Sequence, residues 1–216
     1  MIIKVILVDD HPIVRQGLRS IISRDKWIEV VAEASDGKEA VELSQKFLPD
    51  VVIMDITLPF LNGLDASYRI LKKNKEIKIL ILSMHENRGF IEKSLDYGVK
   101  GYVLKESAAE EIVGAIKEVY AGRIFVSSKI RSFMEDDFVL PKRKTSSLKS
   151  LSQLTLRERE ILQLIAEGLS NKQIAARLNI AFKTVLAHRN NIMQKLNIHN
   201  QTNLVRFALQ EGIISF

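Results

Sequence analysis

Three aspartates stand where an aspartate could do chemistry. Asp9 and Asp10 close a short apolar run, Ile3–Val8, and Asp55 closes another, Val51–Met54. Ser83 follows a third run, Ile79–Leu82, and Lys105 follows a fourth, Tyr102–Leu104. Carboxylates packed together repel one another. They become tolerable when they share a hard divalent cation, and oxygen ligands suit Mg²⁺. A lysine ammonium can touch a phosphoryl oxygen, and a serine hydroxyl can donate a hydrogen bond to another. A carboxylate nucleophile, a metal, a lysine and a hydroxyl are what phosphoryl transfer to a side chain requires. Singly, each residue has an ordinary explanation. An Asp-Asp pair caps a helix or shapes a turn, Asp55 alone is a turn residue, and a strand-terminal lysine is solvated. The argument rests on their joint occurrence at four strand ends.

That occurrence depends on elements able to position the residues. The apolar runs, together with Val30–Ala34, fit strands buried on both faces, as in a parallel sheet. Helix-period segments separate them. Pro12–Ser23 places Ile13, Leu18, Ile21 and Ile22 on an apolar side; Gly37–Lys46, Leu64–Lys73, Phe90–Tyr97 and Ala108–Tyr120 follow. Asp36 and Glu39 approximate a capping box, and Gly98 and Gly122 are placed to stop the last two helices. Five βα units predict a doubly wound α/β domain with a flavodoxin-like, five-stranded parallel sheet. In such sheets ligands bind outside the carboxyl ends of the strands. In the flavodoxin-like order, the ends of the first, third, fourth and fifth strands converge on one edge.

The back half reads as four helices. Thr155 and Glu158 form a capping box opening Leu156–Glu167, which Gly168 closes; Ser170 and Gln173 form a second, opening Asn171–Leu178. Phe182–Leu196 comes next, and Asn200 caps Gln201–Glu211. Ile161, Leu162, Ile165, Ile174, Leu178, Val185, Ile192, Leu196, Leu204 and Leu209 recur at helical spacing as a core. Two helices joined by a tight turn, the second polar and basic, describe a helix-turn-helix. In Phe182–Leu196, residues Lys183, Thr184, Leu186, Ala187, His188, Asn190, Asn191 and Lys195 remain for a DNA groove and its rims. Lys183, Arg189 and Lys195 suit phosphates, and Asn190 or Asn191 could reach a base edge. The alternative is a plain or protein-binding helical bundle.

Bulk properties are compatible with both halves. The chain has 216 residues, 46% hydrophobic and 27% charged, ordinary values for a globular protein. No apolar run is long enough to span a bilayer, and the N-terminus runs into Asp9-Asp10 without the pattern of a secretory signal. The expected location is therefore the cytoplasm, with no membrane partner. With no cysteine, disulfides and thiolate metal sites are excluded. Residues 1–128 carry 18 basic against 19 acidic side chains, residues 129–151 carry 6 against 3, and residues 152–216 carry 8 against 4. A neutral front and a basic back suggest a polyanion partner for the back alone. Between the halves, Arg131–Ser150 lacks sustained periodicity and reads as a linker. Its basic run, Pro141–Ser147, reads as solvated linker, with a phosphate contact or a targeting signal as alternatives; Phe133, Phe138, Val139 and Leu140 hint at a short helix or docking contact before it.

The front half resembles a response-regulator receiver domain across residues 1–125. Val8-Asp9-Asp10-His11, Asp55-Ile56-Thr57-Leu58-Pro59 through Gly63-Leu64, Leu82-Ser83-Met84-His85 and Gly101-Tyr102-Val103-Leu104-Lys105 carry the resemblance. It implies that Asp55 accepts a phosphoryl group from a histidine kinase. It implies that Asp10, Asp55 and the main-chain carbonyl of Thr57 hold Mg²⁺, with Asp9 acting through water, and that Ser83 and Tyr102 form the switch. Glu106 stands where many receivers have a proline in a cis peptide. A non-proline cis bond costs about 3–4 kcal/mol, so the Lys105–Glu106 geometry is left open. The Tyr102 hydroxyl is expected to seek solvent, which would blunt inward rotation. His85 reads as a loop residue rather than a general base.

Leu154-Thr155-Leu156-Arg157-Glu158-Arg159-Glu160-Ile161-Leu162, Gly168-Leu169-Ser170-Asn171-Lys172-Gln173-Ile174-Ala175 and Lys183-Thr184-Val185 resemble the LuxR-type helix-turn-helix. The joint architecture is similar to NarL/FixJ-class response regulators. That resemblance implies homodimeric binding to paired half-sites on double-stranded DNA, with Gln201–Glu211 as dimerisation helix. Ala181 stands where a Ser or Thr usually caps the recognition helix, a loss of about 1 kcal/mol. Leu186 replaces a residue that is often polar, and would favour a thymine methyl. The domains expected are a receiver at 1–125, a linker at 126–150 and a DNA-binding domain at 151–216. The expected function is a transcription regulator, not an enzyme, switched by phosphorylation of Asp55. Two alternatives stand beside it: a phosphorylation-independent DNA binder whose receiver only dimerises, and a phosphatase with an aspartyl-phosphate intermediate.

Overall fold

The computed structural model describes residues 1–84, 88–131, 151 and 153–214. His85 and most of the expected linker, including Phe133, Phe138, Val139, Leu140 and the basic run Pro141–Ser147, lie outside the described residues. The chain divides into two compact units.

In the first unit, six strands alternate with five helices: β1 (Ile3–Val8), α1 (Pro12–Ile22), β2 (Ile28–Ala34), α2 (Gly37–Phe47), β3 (Val51–Asp55), α3 (Gly63–Lys73), β4 (Lys78–Ser83), α4 (Arg88–Asp96), β5 (Gly101–Leu104), α5 (Ala108–Tyr120) and β6 (Phe125–Val126). The strand order is β2-β1-β3-β4-β5-β6, and every pairing is parallel. The first five strands are those expected. β6 is an addition: a two-residue strand is too short to show periodicity, and its pairing to Gly101 and Tyr102 is decided by tertiary structure.

Burial explains the sheet. Every residue of β3 and β5 is buried, as central strands covered on both faces demand. Side chains alternate across it. Val5, Leu7, Val51, Ile53, Leu80, Leu82 and Val103 pack with Leu18 and Ile22 of α1 and Ile112, Ala115, Ile116 and Val119 of α5. Alternation sends Ser83 and Tyr102 to the opposite face. Each fully buried aliphatic side chain stabilises by roughly 1.5–3 kcal/mol. Ile13, expected on the apolar side of α1, is instead 84% exposed. The stripe that meets the sheet runs through Val14, Leu18, Ile21 and Ile22, and Ile13 falls outside it.

Helix ends follow local chemistry. The Asp36 side chain accepts from the Lys38 and Glu39 amides, but Glu39 reaches back to the amide of Ser35 at 2.9 Å, so the box is opened by one residue. Gly98 and Gly122 take φ of 89° and 82°, the left-handed geometry of helix ends.

The second unit comprises α6 (Leu156–Ala166), α7 (Asn171–Leu178), α8 (Phe182–Leu196) and α9 (Gln201–Gln210). Both expected capping boxes form, Thr155 with Glu158 and Ser170 with Gln173. Ile161, Leu162, Ile165, Ile174, Val185, Ile192 and Leu204 are buried, with Leu178 and Leu196 partly buried against them. Leu209 is not among the core residues; Ala208 takes that place, because it lies one turn from Leu204 on the same stripe. Among the described residues, no helix is long and apolar enough to cross a membrane.

Candidate functional site

The carboxyl ends of β1, β3, β4 and β5 bring Asp9, Asp10, Asp55, Ser83 and Lys105 to one edge of the sheet. β1 pairs directly with β3, Val8 opposite Met54, which sets Asp9 beside Asp55. β3 pairs with β4, Asp55 opposite Leu82, and β4 with β5, Ser83 opposite Leu104. Asp55 and Ser83 are the last residues of β3 and β4, and Asp9-Asp10 and Lys105 directly follow β1 and β5.

Lys105 closes the pocket. Its Nζ donates to Asp55 Oδ2 at 2.7 Å and lies 2.8 Å from Asp9 Oδ2. Asp9 is fully buried and Asp55 is 3% exposed. Burial pushes the Asp55 carboxyl up to about 6, although Lys105 pulls it the other way. Burial works against the Lys105 charge, but Asp55 and Asp9 outweigh it and raise the ammonium above the ordinary lysine value. The Thr57 amide donates to Asp55 Oδ1 over 3.4 Å. Ligand atoms of Asp9, Asp10, His11 and Asp55 all lie within 4.8 Å of one another. Asp10 Oδ1 is buried and accepts no hydrogen bond. Three clustered carboxylates facing one lysine, with a buried oxygen left over, are a donor set that fits a hard divalent cation.

The loop after β3 is shaped by Gly63. Its amide donates to the Ile56 carbonyl at 2.8 Å. A Cβ there would stand 1.8 Å from the main-chain oxygen of Asp55. Only a residue without a side chain lets α3 begin so close to the end of β3.

Ser83 and Tyr102 are each 1% exposed. Burial raises the Tyr102 phenol to about 12, opposed by a hydrogen bond with Ser83 and assisted by the Asp55 charge. The expectation that the Tyr102 hydroxyl seeks solvent is therefore corrected. Ser83 shares its sheet face and satisfies the hydroxyl inside, which removes the cost of burying it. All peptide bonds among the described residues are trans, including Lys105–Glu106; Lys105–Ser107 form a 3₁₀ turn.

Two contributors were not singled out from sequence. Arg15 donates to the Asp9 carbonyl at 2.6 Å and to Glu33 at 3.1 Å, tying the β1 end to α1 and β2. His11 sits with its Nδ1 2.8 Å from Asp10 Oδ1. A basic residue one turn into the first helix, and a histidine next to paired aspartates, were the available signals.

In the second unit, α8 leaves Lys183, Thr184, Leu186, Ala187, Asn190, Asn191 and Lys195 exposed and His188 and Arg189 half-buried. Val185 and Ile192 anchor its inner face. Ala181 makes no side-chain cap, as expected. The Arg189 guanidinium donates to Gln201 at 3.0 Å. Lys195, expected at the phosphates, has its ammonium held 2.7 and 2.9 Å from the two carboxylate oxygens of Glu158. Burial works against the Glu158 charge, but hydrogen bonds from Lys195 and Thr155 outweigh it and keep the group below the usual carboxylate range.

Residues 5–117 match the family model of the response regulator receiver domain, and residues 152–208 match that of bacterial regulatory proteins of the luxR family. The oxygen regulatory protein NreC of Staphylococcus epidermidis is 38% identical over 218 residues, covering 99% of this chain and 100% of that protein. The RcsB response regulator of Salmonella typhimurium is similar in structure, with a TM-score of 0.60, 28% identity and coverage of 95% of this chain and 97% of that one. A complex of the two-component response regulator RcsB with DNA gives a TM-score of 0.58 at 26% identity, covering 96% of this chain and 98% of that one.

Proposed function

We propose, since the chain belongs to the two-component response regulators that join a receiver domain to a LuxR-type DNA-binding domain, that a histidine kinase phosphorylates Asp55 and so switches dimerisation and DNA binding. The convergence of Asp9, Asp10, Asp55, Ser83 and Lys105 on one sheet edge carries this reading. Asp10, Asp55 and the Thr57 carbonyl would hold Mg²⁺, with Asp9 acting through water. When bound, that ion supplies positive charge against the phosphoryl oxygens.

An Asp55 carboxylate oxygen attacks the phosphorus of the kinase's phosphohistidine; the O–P bond forms as the P–N bond breaks, and the kinase imidazole leaves. Lys105 leaves its bridge between Asp55 and Asp9 for a phosphoryl oxygen, a point charge following a point charge. Ser83 donates its hydroxyl to another oxygen and so withdraws from Tyr102. The buried phenol then needs a new partner, which biases the β4 to α5 face toward a second arrangement. A coupling of about 1–3 kcal/mol is enough for a useful switch.

The output is binding of double-stranded DNA as a homodimer, with α8 in the major groove and α9 as the dimer contact. Lys183 and Arg189 serve phosphates, Asn190 and Asn191 base edges, and Thr184, Leu186, Ala187 and His188 line the groove. Dimerisation raises the effective concentration of the second DNA-binding unit. The reading is of a cytoplasmic regulator, not an enzyme, with slow self-dephosphorylation. The division at about 125 and 150 belongs to it, and β6 ends at Val126, beside the first of these bounds. The test is a mobility shift on captured genomic sites with and without acetyl phosphate. Affinity should rise in the wild type and not in Asp55→Asn; equal responses in both would refute phosphorylation of Asp55 as the switch.

A further inference from the structure

We infer that Phe182 reads DNA sequence: with Leu186 it forms an apolar edge on α8 that packs on the methyl groups of thymine, so that each half-site carries thymines on base pairs close together. This rests on the proposed place of α8 in the major groove, and it adds Phe182, which that proposal leaves without a role.

The large apolar side chains of the second unit are otherwise covered. Among its described residues only Phe182 and Leu186 remain exposed, at 43% and 36%. A single exposed apolar side chain needs no explanation. These two stand four residues apart on one helix, which makes them neighbours. Asn190 continues the same row and is exposed like the pair, whereas Val185 and Ile192 hold the inner face. Phe182 opens the helix and belongs to neither the buried core nor the residues packed against it. No acidic residue occurs in α8, and Lys183 stands beside the pair, so a polyanion is the complementary partner.

The chemistry of the row selects the base pair. An asparagine amide pairs with the exposed edge of adenine, and an apolar side chain packs on the thymine methyl. Both groups of an A·T pair face the major groove. A phenyl ring or an isobutyl group set against guanine or cytosine would bury donors and acceptors without partners, so the same two side chains also select against G·C. Four residues rise about 6 Å along a helix, against about 3.4 Å for each nucleotide along a strand. The two methyls therefore lie on base pairs no more than about two steps apart.

The experiment is fluorescence anisotropy of the full-length protein on the tightest duplex captured from genomic fragments, with thymine replaced by uracil one position at a time. That exchange removes the methyl and nothing else. The wild type should lose about fourfold in affinity at each of two positions per half-site, the effect of uncovering one methyl group. Phe182→Ala should bind thymine and uracil alike at one of them and keep the wild-type loss at the other; Leu186→Ala should show the reverse. Neither side chain is part of the core, so both variants should keep the wild-type thermal unfolding. An absence of loss at every position in the wild type gives the apolar edge to a partner other than DNA and overturns the inference. Losses that all persist in Phe182→Ala overturn it too. In either case weaker binding by Lys183→Ala and Asn190→Ala leaves α8 in the groove. Affinity unchanged in both of those variants removes α8 from the groove, and the inference with it.

Discussion

Lys105 Nζ reaches Asp55 Oδ2 at 2.7 Å across 50 residues of chain. The pair joins the ends of β3 and β5 and holds Asp55 in an apolar strand end, where burial outweighs the lysine and lifts the carboxyl to about 6. The site is thus built at some cost to stability, as functional sites often are.

That cost has a pH signature. Between 3.8 and about 6 the folded chain keeps a proton on Asp55 that the unfolded chain has released. Stability from this group is present at low pH and lost as pH rises through that window. Asp55→Asn should therefore stabilise the receiver above pH 6.5, by at most about 3 kcal/mol, and have little effect near pH 4. Urea unfolding of both proteins across this range checks it; a difference that does not vary with pH would contradict the assignment.

Gly63→Ala tests the close approach of α3. The new Cβ would meet the Asp55 carbonyl at 1.8 Å, and a backbone atom has little room to move. Destabilisation by about 3 kcal/mol is expected, with loss of acetyl-phosphate uptake measured by mass spectrometry. Normal stability would show that the loop can open without consequence.

Lys195→Met separates structure from DNA contact. The ammonium neutralises Glu158, whose side chain is 4% exposed while the lysine is 38% exposed. Partial solvent screening reduces the loss, so about 1–2 kcal/mol is expected, read as faster hydrogen exchange in α6. The salt dependence of DNA binding should keep its slope. A slope reduced by about 1 would return Lys195 to the phosphate contacts.

Lys183→Ala should weaken binding to all sequences and reduce that slope by about 1, while Asn190→Ala should cost about 1–3 kcal/mol on the specific site only. Fluorescence anisotropy at several salt concentrations distinguishes them. Uniform weakening by both would mean that Asn190 reads no base.

Tyr102→Phe removes the hydroxyl that Ser83 satisfies. The unphosphorylated protein should lose the restraint on Ser83, and the response of DNA affinity to acetyl phosphate should shrink by about fivefold or more, a coupling of about 1 kcal/mol. An unchanged response would remove Tyr102 from the switch.

Local patterns were enough for most of this molecule. Short, almost wholly apolar runs announced parallel strands, and the Thr155–Glu158 and Ser170–Gln173 spacings announced two helix starts, because strand burial and helix capping act over a few residues. The same runs marked Asp9, Asp10, Asp55, Ser83 and Lys105 by placing each just past a strand. What depends on partners far along the chain was not readable. Ile13 and Leu209 have the right chemistry but miss stripes that only docking defines. Tyr102 is silent as to direction until Ser83 lies on its sheet face, and Lys195 looks like any surface cation until Glu158 meets it. Periodicity decides which side of an element is apolar; the partner across the interface decides which polar groups are left for function.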